Sequence, residues 1–191
     1  MALVQLPAAF GLAGATGLNA TLPLFIVSLL ARLGLIHLAP PYDALGTDLA
    51  FWGLLVLAVV EFAIDKVPAL DSVGHAVMLP VSVAAGAILF AAQTGTITSL
   101  DPGLSVVVSL LAGGAISGVV HVMRATVRPV VNLAFLGPPI SFLEDASSAA
   151  LTLAAVLVPI LVPFLLALLV LMTALLWRRR RSTRVAVATR R

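Results

Sequence analysis

Carboxylates in an otherwise apolar chain are the residues best suited to chemistry. Glu61 and Asp65 are four positions apart, so both lie on one face of a predicted helix, and Lys66 follows them directly. Neighbouring carboxylates raise each other's proton affinity and supply oxygen ligands for hard cations. The pair therefore fits a proton relay or a cation site. The alternative is a helix end that reaches the lipid headgroups, with Lys66 neutralising Asp65.

A second polar stretch, residues 121–145, lies between two apolar segments. Its candidate site residues are His121, Arg124, Arg128, Asn132, Ser141, Glu144 and Asp145. Its helix-breaking residues are Pro129, Gly137, Pro138 and Pro139. Hydrocarbon offers no partner to a charge or to a freed backbone group, so such residues are costly at membrane depth. We expect this stretch to be a functional polar element inside the membrane.

The composition places the chain in a membrane. Hydrophobic residues make up 61% of its 191 residues and charged residues only 10%, against roughly a quarter charged in soluble domains. One transmembrane domain is predicted for residues 1–177. The basic segment 178–191 predicts a cytoplasmic tail that contacts membrane lipids rather than nucleic acid. The absence of cysteine excludes disulfides and thiolate chemistry.

The apolar segments predict an all-α, polytopic fold with five to six spans. Residues 3–36 are too long for one straight span of about 30 Å. A break is expected in residues 11–23, where glycines, Asn19 and Pro23 weaken a helix. This break is either a kink or a discontinuous, re-entrant helix. Further spans are predicted at 49–64, 75–90, 104–120 and within 146–177.

Two parts of the chain resemble each other. The letters NATLP at 19–23 follow a glycine-rich helix, as RATVRP does at 124–129, and an acidic cluster comes later in each half. HAVMLP at 75–80 repeats the pattern. The pattern predicts a two-fold repeat over 7–95 and 104–177. Interrupted segments in corresponding halves are typical of a transport site at the repeat interface.

Four motifs resemble those of a family of small bacterial integral membrane proteins known only as a domain of unknown function. They are GLAGATGLNATLPL near the start, VEFAIDKVPALD, RPVVN and GPPISFLED. The D-K-x-P and S-x-x-E-D elements, at 65–68 and 141–145, are the most specific. The resemblance implies a multi-span fold in the bacterial inner membrane and no particular activity. The chain departs from the family pattern at Asn19 and Leu79, where basic residues are expected.

The first functional hypothesis is a transporter or channel-like carrier of a small ion or solute. The carboxylates Glu61, Asp65, Glu144 and Asp145 would be its proton or cation sites. Arg124 and Arg128 would serve as counter-ions or as an anion clamp, and Asn132 and Ser141 would line the site. Asn19 and His75 are secondary candidates.

The second hypothesis is an accessory subunit of a membrane complex, in which Arg124 and Arg128 pair with Glu144 and Asp145. A lipid-scrambling groove is a variant of the first hypothesis. A homo-oligomer is also compatible with the sequence. No nucleophile motif is present, so we do not expect an enzyme. His75 and His121 are not paired at helical spacing, so they are expected to be packing residues rather than haem ligands, and no cofactor is expected. The sequence does not decide whether a metal ion binds.

Overall fold

The fold is helical throughout the part of the chain that the structure covers. This computed structural model describes residues 2–38, 40–66, 68–94, 101–133, 136–158, 167–168 and 170–172. Its α-helices are α1 (Ala2–Leu18), α2 (Leu22–Arg32), α3 (Asp48–Asp65), α4 (Pro68–Thr94), α5 (Pro102–Val108), α6 (Ala115–Leu133) and α7 (Gly137–Leu157). A 3₁₀ helix, Tyr42–Gly46, precedes α3, and a π-helix, Ser109–Gly114, joins α5 to α6.

The molecule is apolar outside and polar inside, the arrangement expected in lipid. Large side chains on the outer face of α3 are exposed, among them Trp52, Val56 and Val59. Buried positions include two arginines and three carboxylates. Among the described residues, three helices are long and apolar enough to cross a membrane: Ala76–Thr94, Val106–Val130 and Gly137–Leu157.

The chain reverses direction between α1 and α2. Gln5 and Leu12 of α1 line the same cavity as Val27 of α2 and Ile36, which a continuous helix would hold far apart. The local sequence favours a break in the helix at this point. The side-chain oxygen of Asn19 accepts from the Leu22 amide at 2.8 Å, and a proline occupies the first turn of α2. The predicted break is therefore a true discontinuity, and the two helices form a hairpin.

Small residues let α1, α4 and α6 pack closely. A Cβ on Gly86 of α4 would lie 2.5 Å from the Ser117 Cβ and 2.6 Å from the Gly113 carbonyl oxygen. Beside it, Thr16 donates to Ser117 at 2.9 Å, and the Ser82 hydroxyl donates to the Thr16 carbonyl at 3.0 Å. These hydroxyls supply polar contacts between helices whose surroundings are apolar.

The stretch 121–145 is more helical than the sequence predicts. Arg124, Arg128 and Pro129 all lie inside α6, and α7 begins at Gly137. Prolines occupy the first turn of α7, where the backbone amides have no partner within the helix in any case. The predicted polar element is therefore the facing parts of two helices. The last predicted span, 146–177, also differs, because α7 already contains residues 137–145 and ends at Leu157.

We predict that Gly86→Ala destabilises the protein, because its Cβ has no space against α6. Overpacking of this kind costs roughly 1 to 3 kcal/mol. Gly53→Ala in α3 is the matched control, since nothing lies within 4 Å of a Cβ at that position. Thermal unfolding in detergent should show a lower midpoint for Gly86→Ala and an unchanged or higher midpoint for Gly53→Ala. Equal midpoints would contradict the close packing of α4 on α6.

Candidate functional site: a charge network around a helix break

The amide end of the helix break is capped by Glu61. Its carboxylate accepts from the backbone amides of Ala20 and Thr21, each at 2.9 Å, and from the Thr21 hydroxyl at 2.6 Å. Glu61 is 1% exposed. The first amides of a helix have no partner within it and carry a partial positive charge, so a carboxylate satisfies both needs. Glu61 thus holds the start of α2 against α3.

The carbonyl end of the break is capped by Arg124. Its Nη1 donates to the Leu18 carbonyl oxygen at 2.6 Å, at the last residue of α1. Carbonyl groups at a helix C-terminus lack internal partners and favour a cation. The two ends of the broken helix therefore hold side chains of opposite charge, one from α3 and one from α6.

Arg124 also joins the two predicted acidic clusters. Its Nη2 donates to Asp65, and its Nε donates to the Glu144 carboxylate at 2.8 Å. Arg128 donates to the same Glu144 oxygen and lies 3.7 Å from an oxygen of Asp65. The two arginine side chains are each 3% exposed and Asp65 4%, while Glu144 retains 17%. Two arginines and two carboxylates thus form one cluster linking α3, α6 and α7.

A second ion pair lies on the α7 side of the break. Lys66 Nζ donates to Asp145 at 2.6 Å and to the Ser141 hydroxyl at 2.8 Å. The other Asp145 oxygen accepts from Asn19 Nδ2 at 2.9 Å. Asn19 therefore contacts both the charge network and the start of α2. Lys66 is the most accessible group of this pair, with 22% of its side chain exposed.

The network holds more acidic than basic groups. Within the described residues, four carboxylates (Glu61, Asp65, Glu144 and Asp145) and three cationic side chains (Lys66, Arg124 and Arg128) lie around the helix break, and all of them except Glu61 form ion pairs. Full ionisation of all seven leaves one negative charge without a counter-charge. One proton would balance it, on a carboxylate or on His121, which is 1% exposed and lies one turn before Arg124. Excess buried charge is costly, so this network is suited to taking up a proton.

The structure brings most of the predicted site residues together. Nine of them share the network: Asn19, Glu61, Asp65, Lys66, Arg124, Arg128, Ser141, Glu144 and Asp145. His121 is buried on the same helix as the two arginines. The side chains of His75 and Asn132, and the tail 178–191, lie outside the described residues.

Two predicted pairings are wrong. Lys66 neutralises Asp145 rather than its neighbour Asp65, because α3 ends there and its side chain reaches α7. Of the two carboxylates predicted to pair with the arginines, Glu144 does so, whereas Asp65 takes the place of Asp145.

Sequence reasoning missed Thr21, Ser148 and Thr152. Thr21 contacts Glu61, and its position two residues before the proline of α2 marks it as the start of a helix. Ser148 and Thr152 continue the spacing of Ser141 and Asp145 along one face of α7, a periodicity that the sequence contains. Within the part of the chain that the structure describes, no group of three or more His, Cys, Asp or Glu is arranged to hold a metal ion.

The apolar exterior, the three long apolar helices within the described residues and the buried charges are features of a helical membrane protein. The chain belongs to the family described as "Domain of unknown function (DUF4126)", whose model matches residues 6–179. This membership confirms the resemblance found in the sequence. No curated protein and no solved structure matches the chain.

We predict strong coupling between Lys66 and Asp145. Removing one member of a buried pair leaves an uncompensated charge and costs roughly 3 to 5 kcal/mol, and somewhat less where a side chain is partly exposed. Lys66→Met and Asp145→Asn should each destabilise, and the variant with both changes should lose less than the sum. Unfolding in detergent across this double-mutant cycle should give a coupling energy of more than about 1 kcal/mol.

The exposed pair Arg32 and Asp48 is the control for this cycle. Its nitrogen and oxygen are 2.8 Å apart, against 2.6 Å in the Lys66–Asp145 pair, but its side chains are 37% and 78% exposed. Exposed pairs contribute only about 0.2 to 1 kcal/mol. A coupling energy for Lys66 and Asp145 no larger than that of this control pair would show that the network does not act as a buried unit.

Proposed function

We propose that the protein is a membrane carrier or channel-like protein for a small ion or solute, and that its charge network takes up and releases a proton. The observation that carries the proposal is the surplus carboxylate in the network at the helix break. A proton arriving at this network neutralises the surplus, and its departure restores it. Such a change alters the forces between α2, α3, α6 and α7 together.

Glu61 is the carboxylate best placed to hold the exchanging proton. In the part of the chain that the structure describes, Asp65, Glu144 and Asp145 each lie within 4.0 Å of a cationic side chain, whereas Glu61 accepts from two backbone amides and a hydroxyl. Protonation would remove the charge that holds the start of α2. The hairpin could then move relative to α3, which is how uptake of a proton would couple to movement of a solute.

The second candidate is a structural role in a larger membrane complex. It is favoured by the dense pairing of the network, in which Arg124 contacts Leu18, Asp65 and Glu144 at once. Such a network can brace a broken helix without any exchange. A structural network predicts that single-charge variants misfold and that paired neutralisation restores folding.

The proposed topology has five to six crossings in a bacterial inner membrane, with the basic tail in the cytoplasm. It includes α1 and α2 as a re-entrant hairpin. At 1.5 Å per residue, the 11 residues of α2 span about 16 Å, roughly half of the hydrocarbon thickness. The two-fold repeat over 7–95 and 104–177 and the association into a homo-oligomer or complex remain predictions.

We predict that Glu61→Gln abolishes proton movement while the protein still folds. Glutamine keeps the shape of the side chain and one acceptor for the α2 amides, but it cannot exchange a proton. Purified protein in lipid vesicles with an internal pH dye would be given an inward pH gradient and a potassium diffusion potential. The wild type should dissipate the gradient faster than empty vesicles, and Glu61→Gln should match empty vesicles.

Asp48→Asn is the matched control, because Asp48 begins the same helix but is exposed. It should retain the wild-type rate, and elution on size exclusion should show that both variants fold. A wild-type rate equal to that of empty vesicles would refute proton movement. If Glu61→Gln dissipates the pH gradient at the wild-type rate, Glu61 does not hold the exchanging proton.

A further inference from the structure

A cavity of about 260 Å³ lies at the open end of the α1–α2 hairpin, away from the charge network. Its wall includes Gln5, His37 and Gln93, together with the apolar side chains Leu12 and Val156. Val156 is on the last turn of α7, eleven residues beyond Asp145. The cavity and the network therefore lie at two levels of the same helix, about 16 Å apart at 1.5 Å per residue.

Hydroxyl groups occupy the α7 face between these two levels. Ser141, Asp145, Ser148 and Thr152 follow one another at spacings of four, three and four residues, so they share one face of the helix. Val156, in the cavity wall, continues the same spacing. Ser148 donates to the Ala15 carbonyl of α1 at 2.9 Å, and Thr152 donates to the Ser148 carbonyl at 2.7 Å. We call this contact of α7 with α1 the α1/α7 seam.

We propose that the α1/α7 seam is a water access route that joins the cavity to the charge network and carries protons. The proposal rests on the proposed function and names the path that its exchanging proton takes. Two independent features support the proposal: a cavity lies at one end of the seam, and buried ionisable groups lie at the other. The seam between them is polar at each turn of α7, although its surroundings are apolar.

The chemistry of the seam suits a proton. Ser148 and Thr152 are both 0% exposed, so the route is closed in this conformation and opens only when the hairpin shifts. A hydroxyl both donates and accepts, so once the open seam admits water and small solutes it can pass a proton to an adjacent water. The α1 side presents Ala8 and Ala15, both 0% exposed, whose small side chains leave space when the hairpin shifts.

The natural absence of cysteine makes the route directly testable. Single cysteines would be placed at Val156, Thr152 and Ser148, and the protein in phosphatidylglycerol-containing vesicles would be treated with a small cationic methanethiosulfonate reagent. The cysteine thiolate, which forms in water but not in lipid or a dry core, attacks the sulfur of this reagent, forms a mixed disulfide and releases methanesulfinate. We expect Thr152→Cys to react roughly tenfold faster, or more, than buried and lipid-facing controls. Ser148→Cys should follow at a lower rate, because it is one turn deeper.

Two matched controls exclude other sources of reactivity. Leu153→Cys is adjacent to Thr152 but faces outward, with 40% exposure, and reports reaction through the lipid. Ala13→Cys is 0% exposed in a separate apolar cluster with Phe90 and reports general loosening of the helices. The route is refuted if Thr152→Cys reacts no faster than the two controls. It is also refuted if Val156→Cys alone reacts, because the cavity then does not continue into the seam. Ser148→Cys gives the same answer should Thr152→Cys fail to fold.

The outcome separates this route from the proposed function. Proton flux through the wild type together with unreactive cysteines at Thr152 and Ser148 would overturn the route and leave the proposed function standing. Reactive seam cysteines without any wild-type flux would overturn the proton-carrying role of the seam. Reactive seam cysteines together with flux that falls once Thr152→Cys is modified would support both.

Discussion

The structure depends on one constraint: a helix broken inside an apolar protein leaves backbone groups that water cannot satisfy. The break after Leu18 frees two amides and a carbonyl, and each finds a charged side chain, Glu61 for the amides and Arg124 for the carbonyl. These charges then need counter-charges of their own, which Asp65 and Glu144 supply to Arg124. The charge network can thus be derived, step by step, from the break.

The same constraint links the fold to the movement that a carrier needs. A continuous helix holds its shape through its own hydrogen bonds, whereas the hairpin of α1 and α2 is held at its turn by side chains from α3, α6 and α7. Its geometry therefore responds to the charge of those side chains. A change of one proton at Glu61 reaches the start of α2, because the carboxylate accepts from the amides of Ala20 and Thr21, which directly precede that helix.

The sequence predicts the members of the site better than their pairing. Helical spacing placed Glu61 and Asp65 on one face, and the cost of buried charge identified Arg124 and Glu144. Pairing could not be read from the chain because any buried cation can neutralise any carboxylate, and the register of α3 on α6 and α7 decides which of them meet. The helix break followed from Asn19 and Pro23. The reversal there depends on Glu61, which lies 40 residues from Thr21 in the chain.

The surplus carboxylate distinguishes, on physical grounds, between a network that exchanges a proton and one that only braces the helix break. A network that only braces a helix break is most stable when its charges balance, and a well-packed apolar core serves as well or better. A fourth carboxylate among three cations therefore adds a cost that bracing does not require. Proton uptake removes that cost, and proton release restores it. The surplus is thus what a site for proton exchange needs, and this favours the carrier over the structural subunit.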